Sequence, residues 1–214
     1  MIETVMVVAG GTSGPAPVPF AFAEPDLVVA ADAGVDRALA LGLQVDVAVG
    51  DFDSVTQAGL AAVELAGGRV ERHPRAKDAT DLELALNIAL AAGPRRILVV
   101  GSESGRLDHL LASLLLISAP SYAGVEVDAL LGGTHVHVIH RSRTFAGVPG
   151  ELVSLLAMHG SAERVTTHGL AYSLQGETLA DGTSRGVSNV FAEPIACVTL
   201  EKGVLLMIRP GKQS

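Results

Sequence analysis

The sequence predicts an α/β protein. It has an N-terminal open, mainly parallel α/β domain over residues 1–125 and a small all-β, sandwich-like domain over residues 130–214. Up to about residue 120, short apolar runs alternate with helical patterns, which indicates crossover connections and a mainly parallel sheet. The apolar runs are continuous, as in "ILVV" (97–100), which is typical of strands buried on both faces. After "GVEVDALLGG", short strands follow one another with Gly or Pro turns and no helical pattern between them.

In the first domain, five strands and four helices are predicted. The predicted strands are "TVMVVAG", "DLVVAAD", "VDVAVGD", a weak "RVERHP" and "RRILVVG". The predicted helices are "VDRALALG", "VTQAGLAAVELAGG", "TDLELALNIALAAG" and "RLDHLLASLLLIS". The third helix has the clearest limits, because Thr80 and Glu83 match a capping box and Gly93 with Pro94 ends it.

The second domain is predicted as strands only. They are "HVHVIHR", "GELVSLLAM", "ERVTTHGLAYSL", "GVSNVFAEP", "IACVTLEKG" and "VLLMIRP". In the first of these, His135 and His137 alternate on one strand face. Two such histidines could bind a metal ion, but no third ligand is evident, so an exposed strand face is the preferred interpretation.

Composition limits the classes of function. The 214 residues carry 15 Lys and Arg against 23 Asp and Glu, a formal charge of -8, which argues against a nucleic-acid partner. The single Cys197 excludes a disulfide within the chain and is expected to be a core thiol, which suits a reducing cytoplasm. No signal peptide is expected, and "LDHLLASLLLISAP" is too short to span a bilayer. We therefore expect a soluble, cytoplasmic protein without a membrane partner.

Charged residues and glycines follow every predicted strand that leads into a helix. In an open parallel sheet, ligands bind outside the carboxyl ends of the strands. The charged side chains at that edge are Asp32, Asp51, Asp53, Lys77, Asp78, Asp81, Arg106, Asp108 and His109. Converging carboxylates repel one another unless a cation lies among them, and Mg²⁺ prefers oxygen ligands. If "GDFDS" (50–54) is extended, Asp51 and Asp53 point the same way, and we expect them to face a metal ion that holds a polyphosphate.

Each of these motifs also has a purely structural interpretation. "GDFDS" could be a turn, "TDLE" (80–83) a helix cap, and "GRLDH" (105–109) an acidic first helical turn. Arg106 fits the last interpretation poorly, because a cation at a helix N-terminus opposes the helix dipole unless an anion lies nearby. "VAGGTSG" (8–14) could cradle a phosphate or be a flexible loop.

Taken in order, the motifs resemble those of the thiamine pyrophosphokinase family. The segments that carry the resemblance are "ADAG" (31–34), "GDFDS" (50–54), "KDATD" (77–81), "GRLDH" (105–109), "GLAY" (169–172) and "VSN" (187–189). They span almost the whole chain. The resemblance implies that the chain transfers a pyrophosphoryl group from ATP to the hydroxyl of thiamine, giving thiamine diphosphate and AMP, with Mg²⁺ as cofactor.

The resemblance also implies roles for individual residues. The expected metal ligands are Asp51, Asp53 and Asp81. The expected catalytic residues are Asp53, Arg106 and Asp108. The expected substrate-binding residues are Asp32, Asp78, His109, Ser188 and Asn189. A homodimer with sites shared between subunits is implied as well.

Two other functions stay open at this point. The same acidic edge could pyrophosphorylate another alcohol, such as a hydroxymethyl pterin. The chain could also be a thiamine or nucleotide sensor that binds without turnover, although binding alone would not need so dense an acidic cluster.

Overall fold

The structure is a computed structural model that describes residues 2–11, 24–102 and 105–211. Its α/β part followed by a β part confirms the predicted fold class. The chain divides into two compact units, residues 1–113 with 125–133, and residues 114–124 with 134–214. The predicted domain limits at residues 125 and 130 stay a prediction.

The first unit contains a six-stranded parallel sheet. Its strands are β1 (Thr4–Ala9), β2 (Leu27–Ala31), β3 (Val47–Gly50), β4 (Arg69–Arg72), β5 (Arg96–Gly101) and β6 (Glu126–Leu131). They are arranged in the order β4-β3-β2-β1-β5-β6. The direction in which the chain adds strands reverses between β1 and β5, and a crevice at such a switch point is where ligands bind in this architecture.

The helices are α1 (Gly34–Ala40), α2 (Gln57–Leu65), α3 (Asp81–Ala91) and α4 (Leu107–Ile117). Apolar residues of α1 and α2 form one core cluster with alternate residues of the sheet, such as Met6, Val8 and Leu98. Helix α3 packs on β1, β2 and β3 through residues outside that cluster, which places it on the opposite face. Each strand-to-helix turn therefore emerges at the carboxyl edge of the sheet.

The second unit is antiparallel. A 3₁₀ turn (Pro120–Tyr122) is followed by β7 (Thr134–Ile139), β8 (Ser142–Ala146), β9 (Leu152–His168), β10 (Gln175–Leu179), β11 (Asn189–Val190), β12 (Ile195–Thr199) and β13 (Lys202–Arg209). The order is β7-β13-β9-β12-β8, and β10 and β11 pair with β9. Its core cluster includes Phe191, Leu205 and Met207.

The second unit differs from the sequence prediction in several details. The two predicted strands on either side of residue 160 are one 17-residue strand, β9, which bends at the left-handed residues His159 and Arg164 instead of ending there. Strands β8 and β10 were not predicted. His137 is buried against Phe145, so the exposed-face interpretation is wrong for that histidine. In the described ranges, no group of three metal-ligating side chains includes it.

Two further sequence expectations concern Cys197 and membrane spans. Cys197 is a free thiol in β12 and is only partly buried. Among the described helices, none is both long and apolar enough to cross a membrane.

Candidate active site

Asp32 lies at the carboxyl end of β2 in a left-handed backbone conformation, with a φ of 43°. Its N–H donates to the Val49 carbonyl at 2.9 Å, which ties this turn to β3. The chain can turn directly into α1 because Gly34 has no side chain: a Cβ there would lie 2.0 Å from the Val8 carbonyl oxygen. Among the described residues, Asp32 Oδ1 is buried without a hydrogen-bond partner. The "ADAG" turn thus holds a buried carboxylate oxygen whose hydrogen-bonding capacity is unused among the described residues.

Asp51 and Asp53 lie in the loop between β3 and α2, on either side of Phe52. Phe52 is buried and left-handed, with a φ of 59°, and the Arg72 guanidinium carbon lies 5.2 Å from its ring centre. Of the two interpretations of "GDFDS", the structure therefore shows the turn and not the extended segment. The turn buries the ring in the core and leaves both neighbouring carboxylates outside. The Asp53 N–H donates to Asp51 Oδ1 at 3.2 Å, and the Ser54 hydroxyl donates to Asp53 Oδ1 at 2.7 Å.

Three carboxylates from these two turns converge. Asp32, Asp51 and Asp53 each present an oxygen, and these oxygens all lie within 4.8 Å of one another. A Cβ on Gly50 would lie 3.1 Å from Asp81 Oδ1 and 3.2 Å from Asp32 Cβ, so this glycine provides the space and Asp81 borders the cluster. Burial raises the pKa of Asp32, and repulsion by the neighbouring carboxylates raises it further. Asp32 was expected to bind substrate, and the structure places its carboxylate with those of the expected metal ligands Asp51 and Asp53.

Two basic side chains between β4 and α3 face the carboxylates. Lys77 Nζ lies 3.0 Å from Asp81 Oδ1, as an ion pair without hydrogen-bond geometry, and 3.9 Å from Asp51 Oδ2. Only 14% of the Lys77 side chain is exposed. Arg75 Nη2 lies 3.3 Å from Asp53 Oδ2 and is largely exposed. Neither residue was given a role from the sequence. Both lie in the loop before α3, where no periodic pattern predicts which side chains meet.

The start of α3 confirms the predicted cap. The Thr80 hydroxyl accepts the Glu83 N–H at 3.2 Å, and Asp81 is the first residue of the helix. Capping therefore explains Thr80, while Asp81 is free to face the cluster. Asp78 is exposed, and within the described part of the chain its side chain forms no hydrogen bond or ion pair.

Arg106 and Asp108 form a bidentate ion pair at the start of α4. Arg106 Nε and Nη2 donate to the two oxygens of Asp108 at 3.1 and 2.6 Å. The Arg106 hydrogen bonds lower the pKa of Asp108 to about 2. The side chain of His109 is exposed, and the backbone N–H of His109 donates to Asp108 Oδ1. No hydrogen bond or ion pair joins these residues to the acidic cluster within the described ranges.

In the second unit, Asn189 is buried and its amide binds backbone groups only. Asn189 Oδ1 accepts the N–H groups of Tyr172 and Val190 at 3.0 and 2.9 Å, and Nδ2 donates to the Tyr172 carbonyl at 2.9 Å. The amide thus ties "GLAY" to "VSN". Ser188 is exposed and left-handed, with a φ of 60°, and 71% of Tyr172 is exposed. Asn189 therefore shapes a surface on which Ser188 and Tyr172 are accessible.

The glycine-rich loop after β1 is only partly defined. Residues 12–14 of "VAGGTSG" lie outside the described residues. A Cβ on Gly11 would lie 2.2 Å from the Ser102 side chain, so this glycine allows the end of β1 to approach the end of β5.

Comparisons with known proteins cover both units. The catalytic-domain model of thiamin pyrophosphokinase matches residues 21–127, and its vitamin B1 binding-domain model matches residues 136–205. Thiamine pyrophosphokinase of Bacillus subtilis is 26% identical over 97% of this chain and 99% of its own length. A crystal structure of the Bacillus subtilis protein has a TM-score of 0.85 at 24% identity, covering 99% of this chain and 100% of that one. A thiamin pyrophosphokinase family protein from Enterococcus faecalis has a TM-score of 0.80 at 27% identity, with the same coverage.

Proposed function

The chain belongs to the thiamin pyrophosphokinase family, and we propose that the carboxylates of Asp32, Asp51 and Asp53 form the centre of its active site. It is an ATP-dependent pyrophosphotransferase that forms thiamine diphosphate and AMP. The thiamine hydroxyl oxygen attacks the β-phosphorus of ATP, the bond from that phosphorus to the α–β bridging oxygen breaks, and AMP leaves with the bonding electrons. The meeting of three carboxylate oxygens within 4.8 Å at the ligand-binding edge of the sheet carries the proposal.

The donor set fits a hard divalent cation such as Mg²⁺. Carboxylate oxygens are the ligands that this ion prefers, and the buried Asp32 Oδ1 has no hydrogen-bond partner among the described residues. The raised pKa of Asp32 fits a carboxylate whose charge is not balanced by its surroundings. We assign Asp32, Asp51 and Asp53 as the residues that would hold Mg²⁺, with Asp81 beside them. When bound, the ion would neutralise and orient the polyphosphate of ATP.

Lys77 and Arg75 are proposed to bind the polyphosphate. Both cations already lie at the cluster, Lys77 beside Asp81 and Asp51, and Arg75 beside Asp53. Once another cation balances those carboxylates, both side chains can contact phosphate oxygens instead. Phosphoryl-type transfer depends mainly on such positioning and charge neutralisation.

Arg106 and Asp108 are proposed to prepare the hydroxyl for attack. Their bidentate ion pair places a guanidinium, which can bind a phosphate group, beside a carboxylate, which can accept the hydroxyl proton of thiamine. Asp78 and His109 keep their expected substrate-binding roles.

Ser188 and Asn189 are proposed to serve the thiamine site in different ways. Asn189 uses its amide to hold the backbone of Tyr172, so we assign it a positioning role. Ser188 is exposed, and within the described residues its hydroxyl has no hydrogen-bond partner, so it is available to a ligand. The exposed Tyr172 ring offers an apolar surface for a thiamine ring.

We propose that the protein is a homodimer in which two subunits complete each site. Helix α4 exposes Leu107, Leu111 and Leu115 at four-residue intervals, with 68, 53 and 48% of each residue accessible. An apolar stripe on an exposed helix indicates an interaction surface. A second copy of the chain is the partner that the family resemblance implies.

Hybrid dimers test the shared site. Asp53→Ala would inactivate one half of a site and Asn189→Ala the other, so neither homodimer should turn over. Random pairing makes about half of the dimers hybrid, and each hybrid has one intact site, so mixing restores about a quarter of wild-type activity. The two variants are co-expressed with different tags, and their folding is checked by circular dichroism. No recovery from purified hybrids would show that each site is built within one chain.

We propose a cytoplasmic location as well. ATP is a cytoplasmic substrate, and a chain with a single cysteine forms no disulfide within itself that would need an oxidising compartment.

The function is tested by AMP release with defined acceptors. We expect AMP to form from ATP in the presence of thiamine and Mg²⁺, in a one-to-one ratio with thiamine diphosphate. Asp53→Asn is the matched control, since it should fold without turning over. AMP formation only with another alcohol, such as a hydroxymethyl pterin, would show that the protein is a pyrophosphokinase for that alcohol. Thermal stabilisation by thiamine without AMP would favour a sensor.

A further inference from the structure

We infer that Asp36 is a positioning residue of the active site, acting through Thr56. The pair fixes the loop of Asp51 and Asp53 relative to the turn of Asp32. This inference rests on the proposed function, because it concerns the same carboxylates. Asp36 itself does not belong to the cluster of converging oxygens.

Thr56 donates two hydrogen bonds to the Asp36 carboxylate. Its N–H donates to Oδ2 at 2.9 Å and its hydroxyl donates to Oδ1 at 2.6 Å. The same hydroxyl accepts the Gly59 N–H at 3.0 Å and so caps α2. Hydrogen bonds to an ionised carboxylate are stronger than those between neutral groups. The start of α1 is thereby fastened to the start of α2.

Gly59 shows how closely the two helices approach. A Cβ at this residue would lie 2.2 Å from Asp36 Oδ1 and 3.0 Å from Thr56 Oγ1. Glycine is less favourable than alanine within a helix. Its presence in the third position of α2 is explained by the space that the Asp36 carboxylate needs.

The Asp36–Thr56 contact anchors the C-terminal end of the loop that carries Asp51 and Asp53, between β3 and α2. At the near end, the Asp32 N–H binds the Val49 carbonyl at 2.9 Å. Asp36 lies four residues after Asp32, in the first turn of α1, so one short segment carries both a cluster carboxylate and the anchor for Thr56. Between the two ends, the exposed Asp53 is held by local contacts of the loop.

Without the Asp36–Thr56 contact, repulsion between the carboxylates would displace the loop. The carboxylates of Asp32, Asp51 and Asp53 repel one another at the distances observed. Phe52 is buried and anchors the middle of the loop, but the segment after it, which carries the exposed Asp53, can relax by moving Asp53 away from Asp32. The Asp36–Thr56 contact opposes that movement and keeps the oxygens close enough to share one cation.

Direct measurement of metal binding separates positioning from stability. Mn²⁺ is the probe, and its dissociation constant is measured on the full chain from the electron paramagnetic resonance signal of the free ion. We expect Thr56→Val and Asp36→Asn to weaken Mn²⁺ binding by about 10- to 100-fold, the range observed when outer partners of metal ligands are removed. Thr56→Ser keeps the hydroxyl and should bind Mn²⁺ like the wild type. Thr56→Val removes only the hydroxyl hydrogen bond, whereas Asp36→Asn weakens both hydrogen bonds, so the double variant should bind Mn²⁺ little worse than Asp36→Asn alone.

The matched control lies at the opposite edge of the same sheet. The Asp26 carboxylate accepts the N–H groups of Glu3 and Thr4 at 2.8 and 3.0 Å, much as Asp36 accepts the N–H and the hydroxyl of Thr56. Asp26→Asn should lower the melting temperature and leave the Mn²⁺ dissociation constant unchanged. Melting curves of all variants show whether each is folded at the temperature of the titration.

The outcomes distinguish this inference from the function on which it rests. If Thr56→Val and Asp36→Asn bind Mn²⁺ as tightly as the wild type, Asp36 only stabilises the fold and the inference is wrong. If the wild type binds no Mn²⁺, or Asp53→Asn binds it equally well, the proposed site itself is wrong and the inference falls with it.

Discussion

The acidic edge of the first unit and the Asn189 region of the second unit differ in how their buried polar groups are paired. The amide of Asn189 makes three hydrogen bonds, all to backbone groups of its own unit. Asp32 Oδ1 has no hydrogen-bond partner among the described residues, and three carboxylate oxygens converge beside it. A buried group that is fully paired shapes the surface around it. Carboxylates that crowd together with too little positive charge prepare a site for a cation.

Backbone conformation does not separate the two regions. Asp32 and Phe52 are left-handed in the first unit, and Ser188 is left-handed in the second. All three lie beside proposed ligand-binding groups, as strained residues often do. The unbalanced charge is therefore what distinguishes the acidic edge, and the following predictions test that contrast.

The largest expected effect is on turnover at the acidic edge. Asp53→Asn replaces an anionic ligand by a neutral amide of the same shape, which is a poor partner for a hard cation. We expect kcat/KM for ATP to fall by at least about 100-fold, the upper end of the loss seen for outer partners of a metal site. Steady-state AMP release at saturating Mg²⁺ measures it. Near-normal turnover would remove Asp53 from the site, provided that melting curves show a folded variant.

In the Asn189 region, the expected effect is on stability. Asn189→Ala removes three hydrogen bonds and leaves part-buried backbone groups of Tyr172 without partners. We expect the free energy of unfolding in urea to fall by at least about 2 kcal/mol. Ser188→Ala is the neighbouring control, and its exposed side chain should matter by no more than about 0.5 kcal/mol. Equal effects of the two changes would contradict the structural role of the Asn189 amide.

Lys77 tests how the acidic edge balances its charge. Lys77→Met leaves Asp51 and Asp81 without their nearest cation, which we expect to reduce the unfolding free energy by about 1–3 kcal/mol in EDTA. Excess Mg²⁺ should restore much of that loss, because binding to the native state stabilises it. Arg75→Met removes an exposed pair and should change stability by less than about 1 kcal/mol. If Mg²⁺ does not restore the unfolding free energy lost in Lys77→Met, Lys77 does not contribute to the cation site.

The sequence predicted most of the fold of the first unit and the edge at which its site lies. Apolar runs alternating with helical patterns place Asp32, Asp51 and Asp81 after successive strands, and the carboxyl ends of parallel strands share one edge. The left-handed turn at Phe52 could not be predicted, because burial of the ring decides it. The contacts of Lys77 and of Asp36 depend on how α1, α2 and α3 pack, which no local pattern specifies.

The second unit was less predictable for a related reason. The residues around His159 and Gly160 have the composition of a turn, yet the chain stays extended on both sides because β13 pairs with β9 across that bend. Asn189 was expected to bind a ligand, and its residue type allows that role equally well. Only the position of Tyr172 beside it shows that the amide is already engaged.

The smallest expected effect is the pH dependence of the melting temperature when the carboxylate of Asp32 or of Asp26 is replaced by an amide. Burial raises the pKa of Asp32, so in EDTA the native state binds its proton more tightly than the unfolded chain does. Stability contributed by Asp32 must then fall as pH rises from about 4, the ordinary value, through the raised native pKa. Asp32→Asn should have a higher melting temperature than the wild type above that pH window, and the difference should vanish below it.

For Asp26, hydrogen bonds from Thr4 and Glu3 instead lower the pKa. Asp26→Asn should therefore be less stable than the wild type at neutral pH, and this loss of stability should shrink as pH falls through the lowered native pKa. The change in melting temperature on substitution, measured against pH with and without Mg²⁺, should have opposite signs for the two variants, because Asp26 accepts backbone hydrogen bonds and Asp32 faces other carboxylates. A difference for Asp32→Asn that does not change with pH would show that its charge is already balanced within the protein.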